Sequence, residues 1–290
     1  MRKKTAFSDV LLVFFISIWT LIIVLPFFNV VVISFATNKE YLSNPLMMFP
    51  TNPTLKNYVD LFQDGRVLIG YRTTLLILLF GVPLNLFLTT SFAYGLSRRG
   101  YPGRRLIFYL VLFTMLFNGG IIPMYLLMMK LHLTDSLGSV VFAYGMNTFY
   151  MIIMRNFFAG LPESLIESAK LDGAGEWKIL VNIILPLSMP IIATITLFYT
   201  VDRWNEWFNA MIFIKSSSMR PLQLVLRSIV LQSQLLDKSS AAGEAAIDTQ
   251  RFTGGLKMAA VVVTILPIMC VFPFLQKHFV KGVLVGAIKS

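Results

Sequence analysis

Apolar residues in this chain neither alternate nor keep to one helical face over most of its length; they run on in long blocks separated by short polar turns. Runs of eighteen or more predict membrane-spanning helices, since a hydrocarbon core of about 30 Å takes about 20 residues at about 1.5 Å each. Six such spans are legible, at about 10–36, 73–97, 106–129, 138–158, 184–201 and 258–275. The third carries Pro123 and the sixth Pro267 and Pro273, which are expected to kink a membrane helix without ending it. The fourth is the most polar, with Tyr144, Asn147, Thr148 and Tyr150. Between the fourth and fifth spans the pattern changes to an amphipathic one, over residues 161–186.

Composition agrees with the pattern. Hydrophobic residues make up 56% of the 290 and charged residues only 13%, where a water-soluble domain carries about a quarter charged. Arg2-Lys3-Lys4 gives a positive start, but the apolar run behind it far exceeds the h-region of a signal peptide, so it reads as a retained first span. Cys270 is the single cysteine, which excludes an internal disulfide. The expected fold is all-α, a single membrane domain of six spans over 1–290.

Basic residues set the orientation. With the N-terminus inside, the short turn Arg98-Arg-Gly-Tyr-Pro-Gly-Arg-Arg105 faces the cytoplasm, as do 155–183 and the tail from 276. Short basic loops carry the most weight in the positive-inside rule, so both termini are predicted to be cytoplasmic. The net charge of +11 then reads as a membrane-surface signature and not as a nucleic-acid interface. Residues 202–257 become a long outer loop, flexible around Ser216-Ser-Ser and 238–246, with a helical apolar pattern from Leu222 to Leu236.

Several chemistries are missing. No G-x-x-x-x-G-K-[ST] is present to cradle ATP phosphates, and no G-x-S-x-G supplies a nucleophile. His132 and His278 lie far apart, and no His, Cys or carboxylate set has metal spacing. No catalytic residue, metal ligand or cofactor is expected in this chain. Away from Arg155, near the inner end of the fourth, the predicted spans hold no Asp, Glu, Lys or Arg, the residues that mark coupling-ion paths. Transport is then either passive or driven by a partner.

The segment 161–186 is where a partner could act. Pro162 suits the first helical position and Glu163 the positive end of the helix dipole. Leu161, Leu165 and Ala169 recur on one face, Glu163, Glu167 and Lys170 on another. With Asp172 and Gly173 as its end, the helix is too short to span a bilayer, and Pro186 opens the fifth span. Two readings fit: a helix lying on lipid headgroups, or a knob docked in a partner's groove. Its carboxylates favour the second, since anionic lipids would repel them.

Glu167-Ser168-Ala169-x-x-x-Gly173, followed after nine residues by Ile183-x-Leu185-Pro186, resembles the EAA loop of bacterial ABC-importer permeases, with Ser168 in place of the usual Ala. Asn118-Gly-Gly-Ile-Ile-Pro-Met-Tyr125, Trp204-Asn-Glu-Trp207 and the ending Phe279-Val-Lys-Gly-Val-Leu-Val-Gly-Ala-Ile-Lys289 look like the maltose-type carbohydrate permeases. Within that family they are most similar to the branch for oligosaccharides and polysaccharide fragments, alginate-type systems included. The resemblance implies a cytoplasmic coupling helix, with Glu167 facing a basic residue of an ATPase and Ala169 and Gly173 allowing close approach. It implies a tail, around Gly286 and Lys289, that reaches the ATPase interface. It also implies partners in the cytoplasmic membrane: a second permease subunit, an ATPase dimer holding ATP and Mg, and an extracytoplasmic solute-binding protein.

Sugar sites combine aromatic faces with amides and carboxylates. Tyr199, Asp202, Trp204, Asn205, Glu206 and Trp207, at the end of the fifth span, have that chemistry; an interfacial aromatic belt has it too. Asn85, Asn118, Asn147 and Tyr150 are candidates for a path through the spans, or for hydrogen bonds between helices. Gly119-Gly120 with Pro123 is either a helix break at a cavity or a packing kink. An importer of a non-sugar solute and a passive channel or scaffold are the competing functions.

Overall fold

The computed structural model describes residues 7–98, 100, 102–241 and 254–287, with side chains placed for 9–98, 100, 102–234 and 254–271. Every regular element among them is helical. The chain forms two compact units, one of residues 1–67 with 225–267, the other of 68–224 with 268–290.

In the first unit, α1 (Phe7–Ser34) is apolar on all sides and almost wholly exposed. A helix with no polar face is built for lipid or for another apolar surface, not for water. Thr37 and Glu40 then cap α2 (Asn38–Ser43) reciprocally, which fixes the turn out of α1. Asn57, buried in α3 (Lys56–Gln63), donates to the carbonyls of Ser34 and Ala36 at 2.9 Å each. A Cβ on Gly255, at the start of α15 (Gly254–Ala287), would lie 2.4 Å from the Asn57 amide. Only glycine allows that approach.

The second unit begins in α4 (Arg66–Ser97), a continuous helix through Pro83. The three predicted spans that follow are each broken. α5 (Arg104–Leu116) and α6 (Ile121–Lys130) meet at 114° instead of forming one kinked helix over 106–129. Phe117 is extended and Gly120 has φ +92°, outside the reach of other residues at low cost, so the Gly pair makes the break. Pro123 sits in the first turn of α6, where its missing N–H removes no hydrogen bond. α7 (Leu137–Ala143) and α8 (Thr148–Ala159) are bent by 51°. The fifth span does not start at Pro186: helix already runs from Glu176, through α10 (Glu176–Ile179), a π-helical turn (Leu180–Ile184) and α11 (Leu185–Leu187). The wide turn admits the extra residue that Pro186 displaces. It bends by 84° at Ser188 into α12 (Met189–Trp204), which runs three residues past the predicted end. Among the described residues, three helices and three bent pairs are long and apolar enough to give up to six crossings.

α9 (Glu163–Leu171) lies between α8 and α10. Its buried residues are Ile166 and Ala169, in a core shared with Ala93, Met151, Met154, Phe158, Ile179 and Ile195. Leu165, expected on the apolar face with Ala169, is exposed instead. Beyond α12 come α13 (Phe208–Phe213) and α14 (Leu222–Ala241), so the predicted 202–257 loop is substantially helical. Nor is Ser216-Ser-Ser loose. Asp135 accepts from the Lys215 and Ser216 amides and from Ser216 Oγ, at 2.9, 2.8 and 2.5 Å. The Ser216 hydroxyl and these amides hold the Asp135 carboxyl below its ordinary range.

Candidate coupling and translocation sites

α9 starts and stops by local chemistry. Pro162 is its N-cap, with extended ψ, and not its first helical residue. At the other end Asp172 is the C-cap, and Gly173 adopts φ +77°. The Gly173 amide donates to the Lys170 carbonyl at 3.0 Å and the Ala174 amide to the Ala169 carbonyl at 2.9 Å. That pair is the Schellman closure, and the left-handed residue in it has to be glycine or close to it. The outcome is a helix with Glu167, Ser168, Asp172 and Gly173 exposed, beside Leu171 at 89% and Trp177 at 67% exposure. Of the remaining coupling residues, Glu163 and Pro186 are exposed, and Ile183 and Leu185 pack partly against the core.

This helix is tied to α4 by residues that the pattern of apolar positions does not reveal. Lys170 pairs with Glu176 at 2.7 Å, and Tyr94, buried in α4, donates its hydroxyl to the same carboxylate at 2.5 Å. The Arg98 guanidinium lies over the Tyr94 ring, 4.7 Å from its centre. Gly286 belongs to the backbone of α15, and Lys289 lies outside the described residues.

The path candidates are brought together around α12. Tyr199 is buried; its hydroxyl bonds Thr89 at 2.6 Å and accepts from the Asn147 amide at 2.9 Å. Asn147 caps α8, its Oδ1 accepting from the Phe149 and Tyr150 amides. Tyr150 packs edge-on against Tyr199 and donates to Asp202 at 3.0 Å. Asn147, Tyr199 and Asp202 line a cavity of about 280 Å³ together with Tyr144, Arg203 and Glu206, among others; Tyr150 does not reach it. Asn85 is fully buried beneath it and donates to the carbonyls of Tyr144 and Gly145. Trp204 is buried against Tyr71, and Asn205 accepts from Gln223. Trp207 stands edge-on to Phe208. Asn118 lies elsewhere, exposed at the α5–α6 break, where it accepts from the Gly120 amide.

Arg203 was placed by the sequence just beyond a span; it is 4% exposed, inside the helical body. Its Nε donates to Asn85 Oδ1, and its terminal nitrogens to the carbonyls of Val140, Val141 and Tyr144, at 2.8 to 3.1 Å. A cation at the open C-terminal end of α7 satisfies carbonyls that the break leaves without helical partners. The only sequence signal was its place in Asp202-Arg203-Trp204, next to a helix still apolar at Val201.

Residues 2–285 match the model of the binding-protein-dependent transport system inner membrane component family. The chain belongs to that family. It is 39% identical, over 99% of its length and 100% of the relative's, to the polygalacturonan/rhamnogalacturonan transport system permease protein YtcP of Bacillus subtilis (strain 168). It is 28% identical, over the full length of both, to the arabinooligosaccharides transport system permease protein AraQ of the same organism. Among solved structures, a chain of a bacterial ABC transporter involved in the import of the acidic polysaccharide alginate superposes with a TM-score of 0.85. That match has 28% identity and covers 95% of this chain and 99% of the other. The broken spans and the α9 hairpin are thus features of an inner-membrane permease subunit.

Proposed function

We propose that this permease carries oligosaccharides or polysaccharide fragments across the cytoplasmic membrane as one subunit of an ATP-driven importer. Family membership and relatives named for polygalacturonan/rhamnogalacturonan and arabinooligosaccharides support the substrate class. ATP is hydrolysed in partner subunits, and α9 receives their motion. The observation that carries this reading is the shape of α9 and the turn into α10, which buries Ile166 and Ala169 inward and presents Glu167, Leu171 and, on α10, Trp177 outward. Its exposed carboxylates suit a basic groove on an ATPase. Lys170, Glu176 and Tyr94 then pass displacement of α9 to α4.

In this arrangement both termini are cytoplasmic, a second permease completes the path, and an extracytoplasmic binding protein delivers the sugar. The cavity beside Asn147, Tyr150, Tyr199 and Asp202 lies on that path. Copurification tests the proposal: the tagged chain should retain an ATPase, and Glu167→Lys should release it and stop uptake. Failure to retain one, with normal uptake by Glu167→Lys, would sink the importer reading. A cognate binding protein that takes only phosphate or an amino acid would refute the sugar assignment.

A further inference from the structure

The cavity beside α12 has an asymmetric chemistry. Its one lining cation is turned into the protein: the Arg203 guanidinium donates to Asn85 Oδ1 and three backbone carbonyls, and Nη1 stands 4.0 Å from Glu206. Its carboxylates keep accepting capacity. Asp202 is exposed and takes one hydrogen bond at Oδ2 from Tyr150, while Glu206 takes two from Asn209. A carboxylate has about four lone-pair sites, so both can accept further hydroxyl donors. Tyr144 and Phe208 add partly open aromatic walls.

The geometry points to a saccharide subsite that reads hydroxyl groups and works against carboxylated sugar units. Sugar hydroxyls donate to Asp202 and Glu206, and the apolar face of a sugar ring lies on the aromatic walls. A uronate carboxylate in the same place meets two carboxylates against one cation whose donors are turned to Asn85 and backbone carbonyls, so the lining carries a net negative charge that opposes it. This rests on the importer reading above and narrows it. The alginate-importing relative handles an acidic polymer; in this chain the cavity takes uncharged units, and any acidic unit must be met elsewhere.

The test is uptake by cells carrying the whole transporter, supplied with neutral arabinooligosaccharides or with oligogalacturonates of equal length. Wild type should favour the neutral set. Asp202→Asn should raise its KM for that set about tenfold, the scale of losing one charged hydrogen bond, and shift the uptake ratio toward uronate. Glu206→Gln should shift the ratio the same way, and Asp202→Glu should keep the wild-type ratio. Because the binding protein is unchanged, a shifted ratio reports on the permease. An unchanged ratio in both charge-removing variants would overturn the inference, as would a wild type that imports uronates alone. Loss of the ATPase from wild type would instead overturn the importer reading.

Discussion

The Tyr94 hydroxyl donates to the Glu176 carboxylate at 2.5 Å, across 82 positions of chain. It is the polar contact that joins the start of α10, just beyond α9, to the long helix α4. Tyr94→Phe is expected to lower stability by about 1 kcal/mol, below the usual value for a charged hydrogen bond because Glu176 is half exposed. Its larger effect should be on coupling, with ATP hydrolysis retained while sugar moved per ATP falls. Lys170→Ala, removing only the exposed ion pair, should change stability by less than about 0.5 kcal/mol. Parallel ATPase and uptake assays on reconstituted transporter check both.

Arg203 should tolerate no simple replacement. Arg203→Met leaves the carbonyls of Val140, Val141 and Tyr144 and the Asn85 side chain without their donor, at a cost of about 3–5 kcal/mol. Arg203→Lys keeps the charge but loses the planar fork, and should rescue only part of it. Folded yield and the thermal midpoint of the detergent-solubilised complex measure the difference; a near-wild-type Met variant would contradict the network.

Gly173 is held at φ +77° by the hydrogen bonds that close α9. Gly173→Ala is expected to cost about 1 kcal/mol through left-handed strain, with no steric term, since nothing lies within 4 Å of an added Cβ. A β-branched Val should do worse. Retention of the ATPase on the tagged chain, compared across Gly, Ala and Val, reads the effect.

Acid should loosen the turn that Asp135 organises. The Ser216 hydroxyl and its neighbouring amides depress the Asp135 pKa. The stabilisation is therefore present above the unfolded value of about 3.9 and lost as pH falls through the lower folded value. Hydrogen exchange of the Lys215 and Ser216 amides should speed up on that side of the transition, and Asp135→Asn should remove the pH dependence.

Much of the fold was legible because apolar run length carries most of the information in a membrane helix. What run length could not give was continuity. The breaks at Gly120, Tyr144–Asn147 and Ser188 depend on φ values, side-chain caps and prolines whose effect changes with their position in a turn. Pro123 illustrates this: read as a mid-helix kink, it is a harmless first-turn residue. The hairpin 161–173 was readable because its glycine and its start signals are local. Its buried face was misassigned by one position, to Leu165 in place of Ile166, because the core it packs on comes from α4, α8 and α12. Arg203 and Glu176 were missed for the same reason, since the hydrogen bonds that tie them into the fold reach Tyr144 and Tyr94, 59 and 82 positions away in sequence.

Every group that receives an Arg203 proton in hydrogen bonding is a backbone carbonyl or an amide oxygen. None of them titrates, and a guanidinium does not give up its charge in a protein. The hydrogen bonds that fix the α7–α8 break against α12 therefore do not depend on the acidity of the medium, and only the longer approach to Glu206, at 4.0 Å, involves a group that titrates. Where acid loosens the turn around Asp135, these four hydrogen bonds keep all their partners.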